Sequence, residues 1–234
     1  MSEAVPALVT LHLWRVEPSG VARALLRMGL DRGRVRRTPG VRFAKLLGTG
    51  DGRTFTVRDA DPLRWGLLAT WASPQAARDF ERSSPVVAAW AALATESWRV
   101  DLRPVASRGT WSGREPFGDP SPVRSLGPVA ALTRARLRPT RAPNFWRAVP
   151  PVSQDLSERP GLRAAIGIGE APIGLQGTFS LWDSGQAVRD FARSPAHTAV
   201  VARTGPERWY AEELFARFDV IGSAGTLDGR DPLA

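Results

Sequence analysis

The chain contains no cysteine, one lysine, one tyrosine and two histidines in 234 residues. Without cysteine, disulfides, thiolate metal centres and cysteine nucleophiles are excluded. Long apolar runs are missing as well. The longest, VVAAWAALA at 86–94, is far short of the roughly 20 residues a helix needs to cross a bilayer. The first residues, MSEAVPALVT, place no apolar core behind a basic segment, so no secretory leader is expected. A soluble, cytoplasmic protein is the default expectation.

What is present favours a folded chain: 43% hydrophobic residues, 24% charged residues and nine tryptophans. The length exceeds a typical domain of about 100–150 residues, which allows one large domain or two fused small ones. A net charge of +9 and a pI near 11.4 raise nucleic acid as a partner. All the basic residues except Lys45 are arginine, however, and they read as an even scatter amid abundant Ala, Gly and Pro. That is the mark of GC-rich coding, and no nucleic-acid partner is expected.

Internal repeats organise the chain. WASPQAARDFERS from Trp71 returns as WDSGQAVRDFARS from Trp182, a shift of 182 − 71 = 111. The same shift maps Glu96 and Trp98 onto Glu207 and Trp209. PGVRFAKLLG at 39–48 returns as PGLRAAIGIG at 160–169, a shift of 160 − 39 = 121, so the first copy carries extra residues between Gly48 and Trp71. GTWSGREPF at 109–117 answers GTLDGRDPL at 225–233. The spacing predicts a tandem duplication, with halves at 1–117 and 118–234.

Each copy reads as strand, helix, strand, strand, helix, strand. VTLHLWRV, VRFAKLLG, WGLLATW and WRVDLRPV have strand character, SGVARALLRMGL has helical spacing, and Ser73-Pro74 is a good helix opening. This βαββαβ order is the ferredoxin-like unit, which leaves one sheet face bare and in need of a partner. The expected fold is therefore α+β: two fused ferredoxin-like units forming a dimeric α/β barrel within one chain, with a cavity between the sheets. The 111 shift sets His197 opposite Val86, so the polar residue is confined to one half. A one-sided ligand site and simple divergence both produce that pattern.

Several stretches resemble the spheroidene monooxygenase family of carotenoid biosynthesis: KLLGTGDGRTFT at 45–56, ESWRVDLRPVASRGTWSGREPF at 96–117, LTRARLRP at 132–139, NFWRAVP at 144–150, GIGEAPIGLQGTFSLW at 167–182 and the helix carrying His197. The resemblance implies a haem enzyme inserting oxygen from O₂ into an apolar polyene, giving a ketone after successive oxidations. It also implies haem b as cofactor, with His197 as the axial iron ligand. The composition is compatible. Axial ligands come from His, Cys, Met or Tyr; cysteine is absent, and Met1, Met28, Tyr210 and His12 have no similar support.

Arg134, Arg136 and Arg141 are candidates for the haem propionates, since a guanidinium matches a carboxylate. Trp146 is the candidate pocket aromatic, Trp182 and Phe191 read as packing through their partners Trp71 and Phe80, and Phe145 suits core packing or a polyene-binding wall. His12 reads as a strand residue with a distal role as the alternative. Glu170 lies in Gly-Glu-Ala-Pro, a strand-to-strand turn or a proton acceptor. GTGDGRTF at 48–55 lacks the Gly-Lys-Ser/Thr of a phosphate loop and suits a lid over the cavity mouth. No nucleotide fingerprint is present, so electrons are expected from an external donor such as ferredoxin, with O₂ or peroxide as oxidant. Dehydration or nitrogen oxidation at the same cofactor, and haem binding without turnover, are the alternatives. The chain is expected to be a monomer or a homodimer, membrane-associated only through an apolar substrate.

Overall fold

The computed structural model describes residues 3–123, 125–170 and 175–234. Among the described residues, eight antiparallel strands close into one barrel. They are β1 (Leu8–Val16), β2 (Val41–Gly50), β3 (Ala60–Trp71), β4 (Ala94–Gly109), β5 (Val129–Leu137), β6 (Leu162–Gly169), β7 (Leu175–Trp182) and β8 (Tyr210–Gly225). Their order around the barrel is β1-β3-β2-β6-β7-β5-β8-β4. Each half thus forms a four-stranded sheet with β1 or β5 inside, as the βαββαβ reading predicts. The halves meet along a long β4–β8 seam, from Trp98↔Gly225 to Gly109↔Leu214, and a short β2–β6 seam at Gly48–Gly50 against Gly169–Gly167. Glycine is required at this second seam: a Cβ on Gly50 would stand 2.4 Å from the Asp59 carbonyl oxygen.

Among the described residues, packed side chains take the space where a cavity between the sheets is expected. Inward-facing Leu11, Leu13, Phe43, Leu47, Leu68, Trp98, Leu132, Ile168, Phe179, Leu214 and Phe218 fill the barrel with one apolar cluster. An eight-stranded barrel is just wide enough for such side chains to meet across its axis. A cofactor lying between the half-barrels is therefore corrected, and the helix-covered outer faces become the places to look.

On the first half these faces are covered by α1 (Val21–Arg36), α2 (Pro74–Ser83) and α3 (Pro85–Ala91); on the second by α4 (Ala142–Ala148), α5 (Pro150–Ser157), α6 (Gly185–Ala192) and α7 (Pro195–Glu207). Serine caps begin four of them. Ser73, Ser84, Ser184 and Ser194 each accept a backbone N–H of the first turn, an interaction worth about 1 kcal/mol.

These caps and the barrel register correct two sequence correspondences. Ser84 and Ser194 cap equivalent helices, a shift of 194 − 84 = 110, so His197 answers Val87 and not Val86. The second copy has one serine fewer before its proline. Then α7 runs 13 residues against 7 in α3, so the shift becomes 110 + 6 = 116 and Glu96 answers Glu212, not Glu207. The chemistry agrees. Glu212 accepts the Gly113 amide at 2.7 Å, and Glu96 accepts the Gly229 amide at 2.7 Å in the matching turn.

Candidate functional site

His197 stands in the first turn of α7, which is pinned at its start. The Ser194 hydroxyl accepts the His197 amide at 3.3 Å and donates to Asp155 of α5 at 2.6 Å. The imidazole Nδ1 lies 3.0 Å from the Ala192 carbonyl oxygen at the end of α6. A carbonyl only accepts, so Nδ1 carries the proton and Nε2 keeps its lone pair. Burial lowers the pKa of His197 from its ordinary value, against the opposing pull of the Ala192 hydrogen bond and the Asp155 charge. The ring is therefore neutral at pH 7, packed beside Phe191 with centroids 5.0 Å apart. A neutral imidazole whose other nitrogen is tied to a carbonyl is the arrangement that presents Nε2 to a metal.

The sheet beneath α6 and α7 differs from its counterpart. Strand alternation sends Leu132 and Arg134 inward and Ala131, Thr133 and Ala135 outward. Across the outer face, Thr133 pairs with Thr178, and Thr178 with Gly167. Beside that row runs Ala131, Ser180 and Ala165. Thr133 and Ala165 are exposed although they lie on the helix-covered side. The matching row of the first half is His12, Leu67 and Leu46, all buried. No residue of α6 or α7 is fully buried, whereas α2 and α3 bury Ala77, Phe80, Val86, Val87 and Trp90. Instead α7 leans chiefly on α5 and α6.

The other expected residues are distributed unevenly. Trp146 belongs to the same helix layer, half-buried against the cluster of Leu137, Phe145 and Trp209 that Val200 of α7 also joins. Its indole N–H is enclosed without a partner among the described residues. Arg141 is exposed at the start of α4, and Arg136 is exposed near the end of β5. Arg134 faces the barrel interior, where it pairs with Glu212, and with Glu170 at 3.2 Å. Lys45 and the Trp111 indole also bond Glu170. Burial disfavours the Glu212 charge, but the Gly113 amide and Arg134 outweigh it and hold the carboxyl down at about 2. This guanidinium is committed to two carboxylates on the opposite side of the sheet from His197.

His12 is not brought to His197. It stacks on Trp14 with centroids 5.3 Å apart, 3.6 Å from Glu81, under α2 of the other half. Burial and the nearby Arg99 push its pKa down to about 3. Trp182 and Phe191 pack at 5.5 Å much as Trp71 and Phe80 do at 5.1 Å, which supports the packing reading. The extra residues of the first copy reach across the seam: Ser153 of α5 donates to the Gly52 carbonyl at 2.8 Å, and Phe55 packs on Phe145. The loop thus covers the second half's helices. Of the turn expected after Glu170, residues 171–174 lie outside the described residues. Sequence reasoning missed Thr133, Thr178 and Ala165, although setting the outward residues of the two copies side by side would have exposed the change from bulky to small.

No family model matches the chain. It is 37% identical over 232 residues to the spheroidene monooxygenase of Rhodobacter capsulatus, covering 96% of this chain and 95% of that one. It is 35% identical over 197 residues to the spheroidene monooxygenase of Cereibacter sphaeroides, covering 83% of this chain but only 60% of that longer protein. Among solved structures, an aldoxime dehydratase superposes with a TM-score of 0.61 at 10% identity, over 91% of this chain and 80% of that one. That likeness concerns the fold alone.

Proposed function

The chain belongs to the spheroidene monooxygenase family, and on that premise we propose that it is a haem-dependent monooxygenase acting on an apolar, carotenoid-like polyene. The cofactor is haem b, held by the half at 118–234, with His197 Nε2 as the iron ligand. When bound, haem supplies the redox-active iron that activates O₂, with electrons from an external donor such as ferredoxin.

The observation that carries this reading is the pairing of a neutral, oriented imidazole with a sheet face of small side chains. The Ala192 carbonyl fixes the tautomer, so the bare Nε2 needs no proton loss to become a donor. Thr133, Thr178 and Ala165 offer a low surface on which a flat apolar ring can lie, whereas the first half's His12, Leu67 and Leu46 would obstruct it. Trp146 forms part of the wall, and its enclosed, unpartnered indole N–H can donate to an oxygen of the bound group. Arg141, free of a carboxylate partner among the described residues, is assigned to a propionate, whereas Arg136 shares the inward parity of Arg134 and lies on the other side of the sheet. Arg134 serves the interior ion network. The 51–56 loop shelters the helix layer from water.

The test is a hemin titration of the purified chain followed by absorption. A saturable Soret band is expected. His197→Ala should lose it or shift it, weakening binding by more than the 10–100-fold typical of an outer-shell change, and added imidazole should restore it in His197→Gly. An unchanged spectrum in both variants overturns the assignment.

A further inference from the structure

We propose that α1 is an interfacial helix whose outer face docks on an anionic lipid surface. This goes beyond the reaction proposed above and does not depend on haem. The inner face of α1 buries Ala24, Met28, Asp31 and Val35. Its opposite face repeats at the three- and four-residue spacing of a second apolar stripe: Ala22, Leu25, Leu26, Gly29 and Leu30. The three leucines are 57%, 62% and 52% exposed. A Cβ on Gly29 would meet nothing within 4 Å, so no described residue overlies the stripe at its middle. Among the described residues, no other helix exposes three large apolar side chains. The second half's α4 and α5 expose none.

Charge identifies the occupant. The even scatter of arginine expected from the sequence breaks down at RGRVRR, 32–37. The only acid of α1, Asp31, is buried and already engaged by Arg34 at 2.9 Å and Arg27 at 3.7 Å. Arg23, Arg32, Arg36 and Arg37 surround the leucines with no carboxylate partner among the described residues. At the helix's C-terminal end, Arg32 and Arg36 join Arg42, Lys45 and Arg114 around a cleft of about 450 Å³. Phe43 and Leu46 contribute apolar surface to it and Glu170 one acid. A second copy of this face would bring the unpaired Arg23, Arg32, Arg36 and Arg37 against like charges, whereas phosphate headgroups neutralise them; Lys45 and Arg114 of the cleft are already paired with Glu170 and Glu3. With 16 residues and this many arginines, the helix lies along a membrane rather than across it.

The full chain should cosediment with unilamellar phosphatidylcholine vesicles containing about 30% phosphatidylglycerol, and at least about tenfold less with phosphatidylcholine alone. Raising salt from roughly 0.1 to 0.5 M should weaken binding. Leu25→Ser/Leu26→Ser/Leu30→Ser should reduce it about tenfold or more, as should Arg32→Gln/Arg36→Gln/Arg37→Gln, both with unchanged thermal unfolding. Because the chain lacks cysteine, Leu26→Cys provides a single attachment point for a polarity-sensitive fluorophore. Its emission should shift to the blue on anionic vesicles, while that of Ile221→Cys on β8 stays fixed. Failure of the wild type to bind, binding indifferent to the leucines, or a solution dimer that the leucine variant dissociates would each overturn the proposal. None of these readouts involves haem.

Discussion

The two halves repeat one plan of strands and helices and use the space between sheet and helices in opposite ways. In the first, His12 stacks on Trp14 and Trp14 on Trp90 at 5.2 Å, and Leu67, Trp71 and Phe80 complete a second core. In the second, the equivalent layer is closed around Leu137, Phe145 and Trp209 and at the Trp182–Phe191 contact, with small side chains between them. Large side chains buried to this extent contribute roughly 1.5–3 kcal/mol each. The first helix layer therefore holds itself to its sheet by apolar burial, and the second gives up much of that stabilisation. A duplicated fold can tolerate this because the barrel core joins both halves: one copy carries the stability and the other is free to hold a ligand.

The comparison breaks most directly by truncation. Trp90→Ala should destabilise the chain by about 3–5 kcal/mol in urea unfolding, whereas Phe191→Ala in the second layer should lose about 1 kcal/mol. Equal losses would mean that both layers are load-sharing cores. A smaller effect follows from pH. The His12 pKa lies at about 3 in the folded chain, below its ordinary 6.5. Between those values the unfolded chain binds more protons, so this contribution is complete above about pH 6.5 and is lost as pH falls toward 3. By pH 4 the wild type should have lost about 3 kcal/mol more than His12→Leu. His197, less enclosed, should alter the same profile less. Parallel profiles for wild type and His12→Leu would show that the first layer admits water.

Much of this architecture is legible in the sequence alone. Alternating apolar runs marked the strands, Ser73-Pro74 marked the start of α2, and WASPQAARDF against WDSGQAVRDF marked the duplication. The barrel interior was misread because the ferredoxin-like unit announces a bare face without saying how far the side chains on two such faces interpenetrate. Leu13, Trp98 and Phe218 are long enough to meet. Arg134 was misassigned for a related reason: composition offers arginines as anion partners, but strand parity decides which side of the sheet each one serves. His197 was picked out by its one-sidedness in the repeat and by family resemblance. Its carbonyl partner, Ala192, could not be found that way, since a backbone oxygen carries no residue signature.

The sharpest form of the comparison is to rebuild one half in the image of the other. Thr133→Leu/Thr178→Leu places first-half bulk on the second sheet, at positions that are exposed and half-buried respectively. Each substitution adds apolar surface where α6 and α7 now find little to rest on, and a buried methylene is worth about 0.8 kcal/mol. The haem-free chain should therefore unfold at slightly higher urea, by about 1 kcal/mol. The same bulk occupies the surface assigned to a flat cofactor, so hemin should bind roughly tenfold more weakly, a loss of about 1.4 kcal/mol, with His197 untouched. Opposite signs in the two measurements are what the division of labour demands. If the variant lost stability and kept full hemin affinity, the small side chains of the second sheet would be packing against the helices after all, and the ligand would have to lie elsewhere.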